Sequence, residues 1–467
     1  MASQDIESSR ESEAQDGLLA ETAPLLSAAE RHGPKTAADS AWSELCLLAK
    51  YSLPLIATYL LQYSFSVITT FVAGHLSADD LAAASIGVTT MNIIGLAIFE
   101  GMATALDTLC AQAYGSGNLV GVGLHVQRML LLMAIVALPV AGVWLCSAPI
   151  IGVFIPQQHL AVKAGSFLRV SVIGLPGYAA FEAGKRFLQA QGDFKAGMVI
   201  LVGMGLDGAA LGAAVTNDLR PILLLLYIVF FKKPSHRCWA GLSRSALQGW
   251  GPMIRLSAAG SAVTLAEWAA FEILTFSTSY ISTVHLAAQT ILTTTSVVMW
   301  HIPFSVSVAV STRVGHLIGA GLVLTARRAT LLYAVCFAAI GIFDGALLFS
   351  LRNHISLIFS DDAAIRELAT QAMASVGAFQ VIDAILCGCN GILRGLGRQS
   401  IAAWVVFIIN YLAAIPLAIW LELGPLKIGL NGVWIGLGSG MVAIGVIEVG
   451  YMRMIDWQDC VEDLKSD

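Results

Sequence analysis

The sequence predicts an all-α polytopic membrane protein built as two repeated helical bundles. Composition is the first reason. The 467 residues are 57% hydrophobic and 12% charged, with a mean hydropathy of +0.76. A soluble domain would carry about twice that charged fraction. The second reason is the form of the apolar runs, which are long rather than the short alternating segments of a barrel. Helices satisfy their own backbone in lipid. The third reason is internal repetition. Leu81–Ile86 matches Leu286–Ile291, and Thr108, Gly115 and Gly117 match Thr312, Gly319 and Gly321, at offsets of 205 and 204.

Residues 1–41 are polar and read as a disordered cytoplasmic tail with no secretory signal. The N-terminal lobe, 42–231, holds apolar runs near 45–70, 81–111, 126–150, 165–190 and 209–231. The segment 232–250 carries Lys232, Lys233, His236, Arg237 and Arg244 and reads as a cytoplasmic linker. The C-terminal lobe, 251–455, holds runs near 251–279, 285–311, 329–350, 365–393, 401–421 and 431–452, and a second cytoplasmic tail covers 456–467. Pro54 and Pro303 are expected to kink helices or mark their starts.

One lobe thus shows five runs and the other six, and the repeat locates the difference. Leu188–Gly192 matches Leu393–Gly397 at an offset of 205, whereas Gly205–Gly208 matches Gly429–Gly432 at 224. The offset grows by 19 residues, about one membrane-spanning helix. The apolar remnant at 195–204 is too short to cross a core of about 30 Å. The design is six plus six helices with most of the fifth absent around 193–204, giving 11 to 12 spans. Repeated halves point to a transporter whose pathway lies between two bundles that rock against each other.

Charge sets orientation. With twelve helices and a cytoplasmic N-terminus, all but six of the 26 Lys and Arg fall on the cytoplasmic side. Lys163, Arg169, Arg352, Arg366 and Lys427 fall outside, and Arg220 lies beside the shortened stretch. Eleven helices would instead invert the second lobe. The net charge of −5 gives no reason to expect a nucleic-acid partner, and the eight scattered cysteines contain no CxxC pair, so no metal site or disulfide framework is expected.

Acids inside apolar helices are expensive and so are functional candidates by default. Glu267 and Glu272 share one helix, about 140° apart around its axis. Asp383 lies in the fourth helix of the same lobe. A carboxylate in apolar surroundings favours its neutral form, so it can hold a proton and exchange it for a cation. Local pairing near a helix end is the plainer alternative. Trp268 and Trp300 are candidates to stack on a cationic ring, against an ordinary role at the lipid interface or in the core. Gln289, on the following helix, completes the candidate set. Glu100 and Asp107 flank the second helix, with Asp107 read as structural, and Glu182, Lys185 and Arg186 read as a local ion pair.

Several segments carry a family resemblance: Leu53-Pro54, Ala73–Leu76, Leu106–Gly115, Leu188–Gly192, Ile302–Phe304, Ser311–Gly315 and Leu393–Gly397. Together they resemble the multidrug and toxic compound extrusion family, in its eukaryotic branch, over about residues 42–455. The resemblance implies two six-helix lobes and a secondary antiporter, not an enzyme. It would export organic cations and xenobiotics in exchange for protons, with sodium the alternative coupling ion and no other cofactor. It also implies that Glu267, Glu272 and Asp383 match acids implicated in transport. Thr294 stands where mammalian relatives carry a further acid, so it can bind substrate but carries no charge. Near Thr69, prokaryotic relatives place an Asp that this chain lacks, which argues against proton coupling in the N-terminal lobe. A lipid-linked precursor flippase, or a transport-incompetent splice form or gene-model artefact, are the alternative readings. Glu21–Leu26 resembles an acidic dileucine signal read by sorting adaptors. It points to a vacuolar or lysosomal membrane, with the plasma membrane as the alternative.

Overall fold

Long apolar stretches become long helices. The computed structural model describes residues 37–76, 86–154, 158–201, 213–278, 280–360, 362–426 and 428–466, and no strand occurs among them. The N-terminal half contributes α1 (Ala37–Leu76), α2 (Ile86–Gly115), α3 (Leu119–Leu145), the short α4 (Ser147–Phe154), α5 (Gln158–Ala190), α6 (195–201) and α7 (Ala213–Phe231). The C-terminal half contributes α8 (Gly251–Thr278), α9 (Thr283–Gly319), α10 (Val323–Phe359), α11 (Ala363–Gly395), α12 (Gln399–Leu423), α13 (Leu430–Met454) and α14 (Trp457–Ser466). Among the described residues, nine helices are long and apolar enough to cross a membrane. Helix α8 is not one of them, because Glu267, Glu272 and its serines and threonines make it polar.

At the shortened stretch only the two turns of α6 are described, whereas its repeat counterpart α12 runs for 25 residues. The matching segment Gly205–Gly208 lies outside the described residues. So does the dileucine-like Glu21–Leu26. Helix α1 begins at Ala37, so the last residues assigned to the tail are helical. Pro54 and Pro303 both lie inside helices rather than at their starts. The linker is ordered: Gln127 of α3 donates to the Gly241 carbonyl at 2.9 Å and accepts from the Ser243 N–H at 3.0 Å.

Each half has its own apolar core. One gathers around Phe99, Met129, Trp144 and Phe181, the other around Met373, Phe379, Trp434 and Leu437. A third cluster joins α1 to α9, α10, α11 and α14 through Leu55, Val310, Tyr333, Phe337 and Trp457. A buried polar group fixes that junction. Glu44 of α1 pairs with Arg313 of α9 and accepts from the Tyr333 hydroxyl of α10 at 3.1 Å.

The repeat is also visible in the backbone. Gly192 and Gly397 both have φ 76°, and Gly117 and Gly321 have φ 82° and 73°. These left-handed turns favour glycine. Side chains at matched positions make matched contacts across the two halves. Gln112 of α2 donates from Nε2 to the Gly395 carbonyl at 2.9 Å. His316 of α9, its repeat partner, places Nε2 2.7 Å from the Ala190 carbonyl. Between them the glycines touch backbone. A Cβ on Gly115 would lie 2.3 Å from the His316 carbonyl oxygen, and one on Gly319 2.2 Å from that of Gln112. Helices α2 and α9 thus cross at closest approach near their C-termini. This is the basic end of the bundle, where Arg327, Arg328, Arg394 and Arg398 also lie in sequence beside helix ends.

Candidate functional site

Between the halves, on the far side of that crossing, lies a cavity of about 660 Å³. Helices α1, α2, α5, α7, α8, α9, α11 and α13 all contribute side chains to its wall. Five of the six site residues expected from the sequence face it: Glu267, Trp268 and Glu272 from α8, Thr294 from α9 and Asp383 from α11. Glu272 is exposed to the cavity, Glu267 is half-buried, and Asp383 is only 5% exposed. The three acids therefore stand at increasing depth in one wall.

Gln289 is not part of this site. It is 1% exposed, and its Oε1 accepts from Trp434 Nε1 at 3.2 Å, inside the C-terminal core. Its position on α9 turns it toward α13 instead of the cavity, so it packs that lobe. Trp300 does face the cavity, stacked on Phe304 with ring centroids 4.3 Å apart.

Other residues join the site without a strong signal in the sequence. Tyr59, Gln62 and Tyr63 come from α1, and His301 from α9 packs 5.2 Å from the Tyr63 ring centroid. Asn92 opens a π-helical turn at Asn92–Leu96 and reaches the cavity from α2. Such turns recur at functional sites. Glu100, expected only to flank α2, lines both the main cavity and a narrower extension of about 60 Å³. Glu267, Asp383 and Arg394 share that extension with it.

The opposite wall is held by buried charge. Lys185 contacts Glu182 at 2.7 Å, lies 4.7 Å from the Tyr59 ring centroid and donates to Gln62 at 3.3 Å. Arg186 contacts Asp107 at 2.9 Å and donates to the Tyr59 hydroxyl at 3.1 Å. The ion pair expected of Glu182, Lys185 and Arg186 forms, and Asp107 joins it as a structural partner. Buried charges need such partners, and this set fixes α5 to α2 and α1. Glu182 still reaches the cavity surface.

Among the described residues, the cavity wall holds five carboxylates, Glu100, Glu182, Glu267, Glu272 and Asp383, against one arginine, Arg220. Arg220 is itself bonded to Asn217 at 3.1 Å. Aromatic rings from α1, α8 and α9 stand among the acids. Acid and ring together suit a cation with an apolar body.

Comparison with known proteins agrees in outline. The sequence model of the MatE family matches residues 54–211 and 261–420, one stretch in each half. A Schizosaccharomyces pombe protein described as an uncharacterized transporter is 37% identical over 441 residues, covering 90% of this chain and 81% of its own. Multidrug and toxin extrusion protein 1 of Xenopus tropicalis is 29% identical over 461 residues, covering 93% and 80%. The crystal structure of a eukaryotic MATE transporter superposes with a TM-score of 0.86 at 26% identity, over 91% of this chain and 99% of the other.

Proposed function

The chain belongs to the MatE family, a family of multi-pass membrane transporters and not of enzymes, and from that premise we propose that it is a secondary antiporter that exports organic cations in exchange for protons. One observation carries the reading. Glu267, Glu272 and Asp383 converge on a cavity between the halves, in a wall whose described residues include five carboxylates and one arginine. Glu182 is balanced by Lys185 and Arg186, which leaves Glu100, Glu267, Glu272 and Asp383 to favour a cation over phosphate-bearing cargo, against the flippase alternative. Burial favours the neutral form of a carboxyl, so an acid that holds a proton when the cavity is empty can release it to receive a cation.

In this reading Trp268 and Trp300 receive the apolar body of the cargo, Thr294 offers a hydroxyl, and Glu267 and Asp383 carry the proton. Protons rather than sodium drive the exchange, and the protein resides in a vacuolar or lysosomal membrane. Cargo that resembles that of the multidrug and toxin extrusion relatives is expected. The test is uptake of a fluorescent lipophilic cation by liposomes holding the purified protein, under an imposed pH difference. Glu267→Gln and Asp383→Asn should each reduce proton-driven uptake by roughly a hundredfold or more while the protein still folds. Sodium-driven uptake that ignores pH, or unchanged uptake by both variants, would refute the assignment.

A further inference from the structure

Two carboxyls outside the cavity are buried in the C-terminal lobe. Asp344 of α10 and Glu448 of α13 are each 0% exposed. Neither oxygen of either side chain meets a hydrogen-bond partner among the described residues. Buried polar groups are nearly always hydrogen-bonded, so two enclosed carboxyls without such partners call for an explanation.

Helix contacts give their heights. A Cβ on Gly345 would lie 2.6 Å from the Gly377 carbonyl oxygen, and one on Gly341 2.9 Å from the Val381 Cα. Helices α10 and α11 are therefore antiparallel, and Asp344 stands level with about residue 378, roughly 7 Å along the axis from Asp383. On the other flank the Ser375 hydroxyl donates to Asn431 at 2.7 Å, and Gly438 faces Phe379 and Ile382. Helices α11 and α13 are parallel, and Glu448 falls level with about residue 390, roughly 11 Å from Asp383 toward the basic end.

Electrostatic proximity agrees with this order. Asp383 and Glu267 line one narrow cavity together, and Asp344 is close enough to Asp383 to act on it electrostatically. Glu448 is close enough to Glu267 and to the Cys389 thiol of α11 to interact with both electrostatically. Arg394 lines the same narrow cavity as Glu267.

We propose that Asp344 and Glu448 are proton-holding stations in a row that runs along α11, so that protons cross the C-terminal lobe through Asp344, Asp383 with Glu267, and Glu448, beside the cargo cavity. The proposal rests on the proton-antiport reading above. Each step passes one proton from a neutral carboxyl to an ionised neighbour, and water entering the lobe relays it across gaps too long for a direct hydrogen bond. No electrons move. A carboxyl at each level lets the lobe load a proton from one face and release it at the other while cargo occupies the cavity.

The test compares the purified full-length protein with Asp344→Asn and Glu448→Gln, and with the carboxyl-preserving Asp344→Glu and Glu448→Asp. Infrared spectra in detergent report the carbonyl stretch of neutral carboxylic acids. At neutral pH each amide variant should lose the share of that band due to one carboxyl. Where an amide variant fails to fold, its carboxyl-preserving counterpart carries the test, because a displaced carboxyl shifts its band. In liposomes with an interior pH dye, proton flux driven by tetraethylammonium should fall roughly tenfold or more in each amide variant. Binding of tetraethylammonium to the detergent-purified protein should be unchanged. An unaltered band or wild-type proton flux overturns the proposal. If wild-type liposomes move no protons with cargo, the antiport reading fails and the pathway with it, while band loss in the variants would still establish both carboxyls as protonated sites.

Discussion

Depth in the cavity wall separates the three acids. Glu272 is exposed to the cavity, whereas Asp383 is almost enclosed. A carboxylate that meets water gives a modest, screened attraction to a cation. Glu272→Gln should therefore raise KM for a cationic cargo several-fold, roughly the weight of a single exposed ion pair, and leave the pH dependence of the maximum rate in place. Initial-rate measurements over a range of cargo concentrations and pH values separate the two. A loss of pH dependence in that variant would move the proton site to Glu272. Gln289 makes the opposite case. Its bond to Trp434 lies in the core, so Gln289→Leu should cost about 1 kcal/mol of stability, read as a lower unfolding temperature, with cargo affinity unchanged. The sequence made the acids legible because ionisable groups stand out in an apolar helix. Gln289 was misleading because a glutamine inside a helix is equally at home in a cavity or against a tryptophan. Asp344 and Glu448 carry the same kind of signal as Asp383, yet only three-dimensional packing shows that both are wholly enclosed and lack hydrogen-bond partners among the described residues.

Among the elements, the repeat was the most readable feature. The paired motifs Leu188–Gly192 and Leu393–Gly397 predict equivalent helix ends, and both end in a glycine at φ 76°. A left-handed residue with a Cβ is disfavoured by about 1–2 kcal/mol. Gly192→Ala and Gly397→Ala should therefore destabilise the protein by similar amounts, about 1 kcal/mol each. Thermal unfolding of the purified variants checks this, and a large difference between the two would mean that the ends are not equivalent. Other elements were hidden. The π-helical turns at Asn92–Leu96 and Asn410–Ala414 arise from one extra residue in a helical turn, and in spans this apolar the resulting shift of phase has little polar pattern to show against. Glu44 sits in a stretch too polar to belong clearly to a span, and its role emerges only because Arg313 and Tyr333 meet it from distant helices.

At the scale of the molecule, alternating access requires the two halves to part at one end when they close at the other. In this structure they are joined at the basic end. Gly115 and Gly319 let α2 and α9 touch backbone to backbone, and Gln112 and His316 reach across to Gly395 and Ala190. The cavity residues of α2 and α9 lie before this crossing in each helix, so the crossing stands between the cavity and the basic face. Opening at the basic end must break both hydrogen bonds and separate both glycines. A Cβ on Gly319 would meet the Gln112 carbonyl oxygen at 2.2 Å, and backbone there cannot yield cheaply. Gly319→Val should thus disfavour the sealed state without touching the cavity. Spin labels on the basic ends of α2 and α9 should report a longer mean distance in this variant than in the wild type. Cation export should fall while affinity for cargo presented from the cytoplasmic side is kept. An unchanged distance distribution, or full transport, would mean that the crossing is ordinary helix packing and that the seal lies elsewhere.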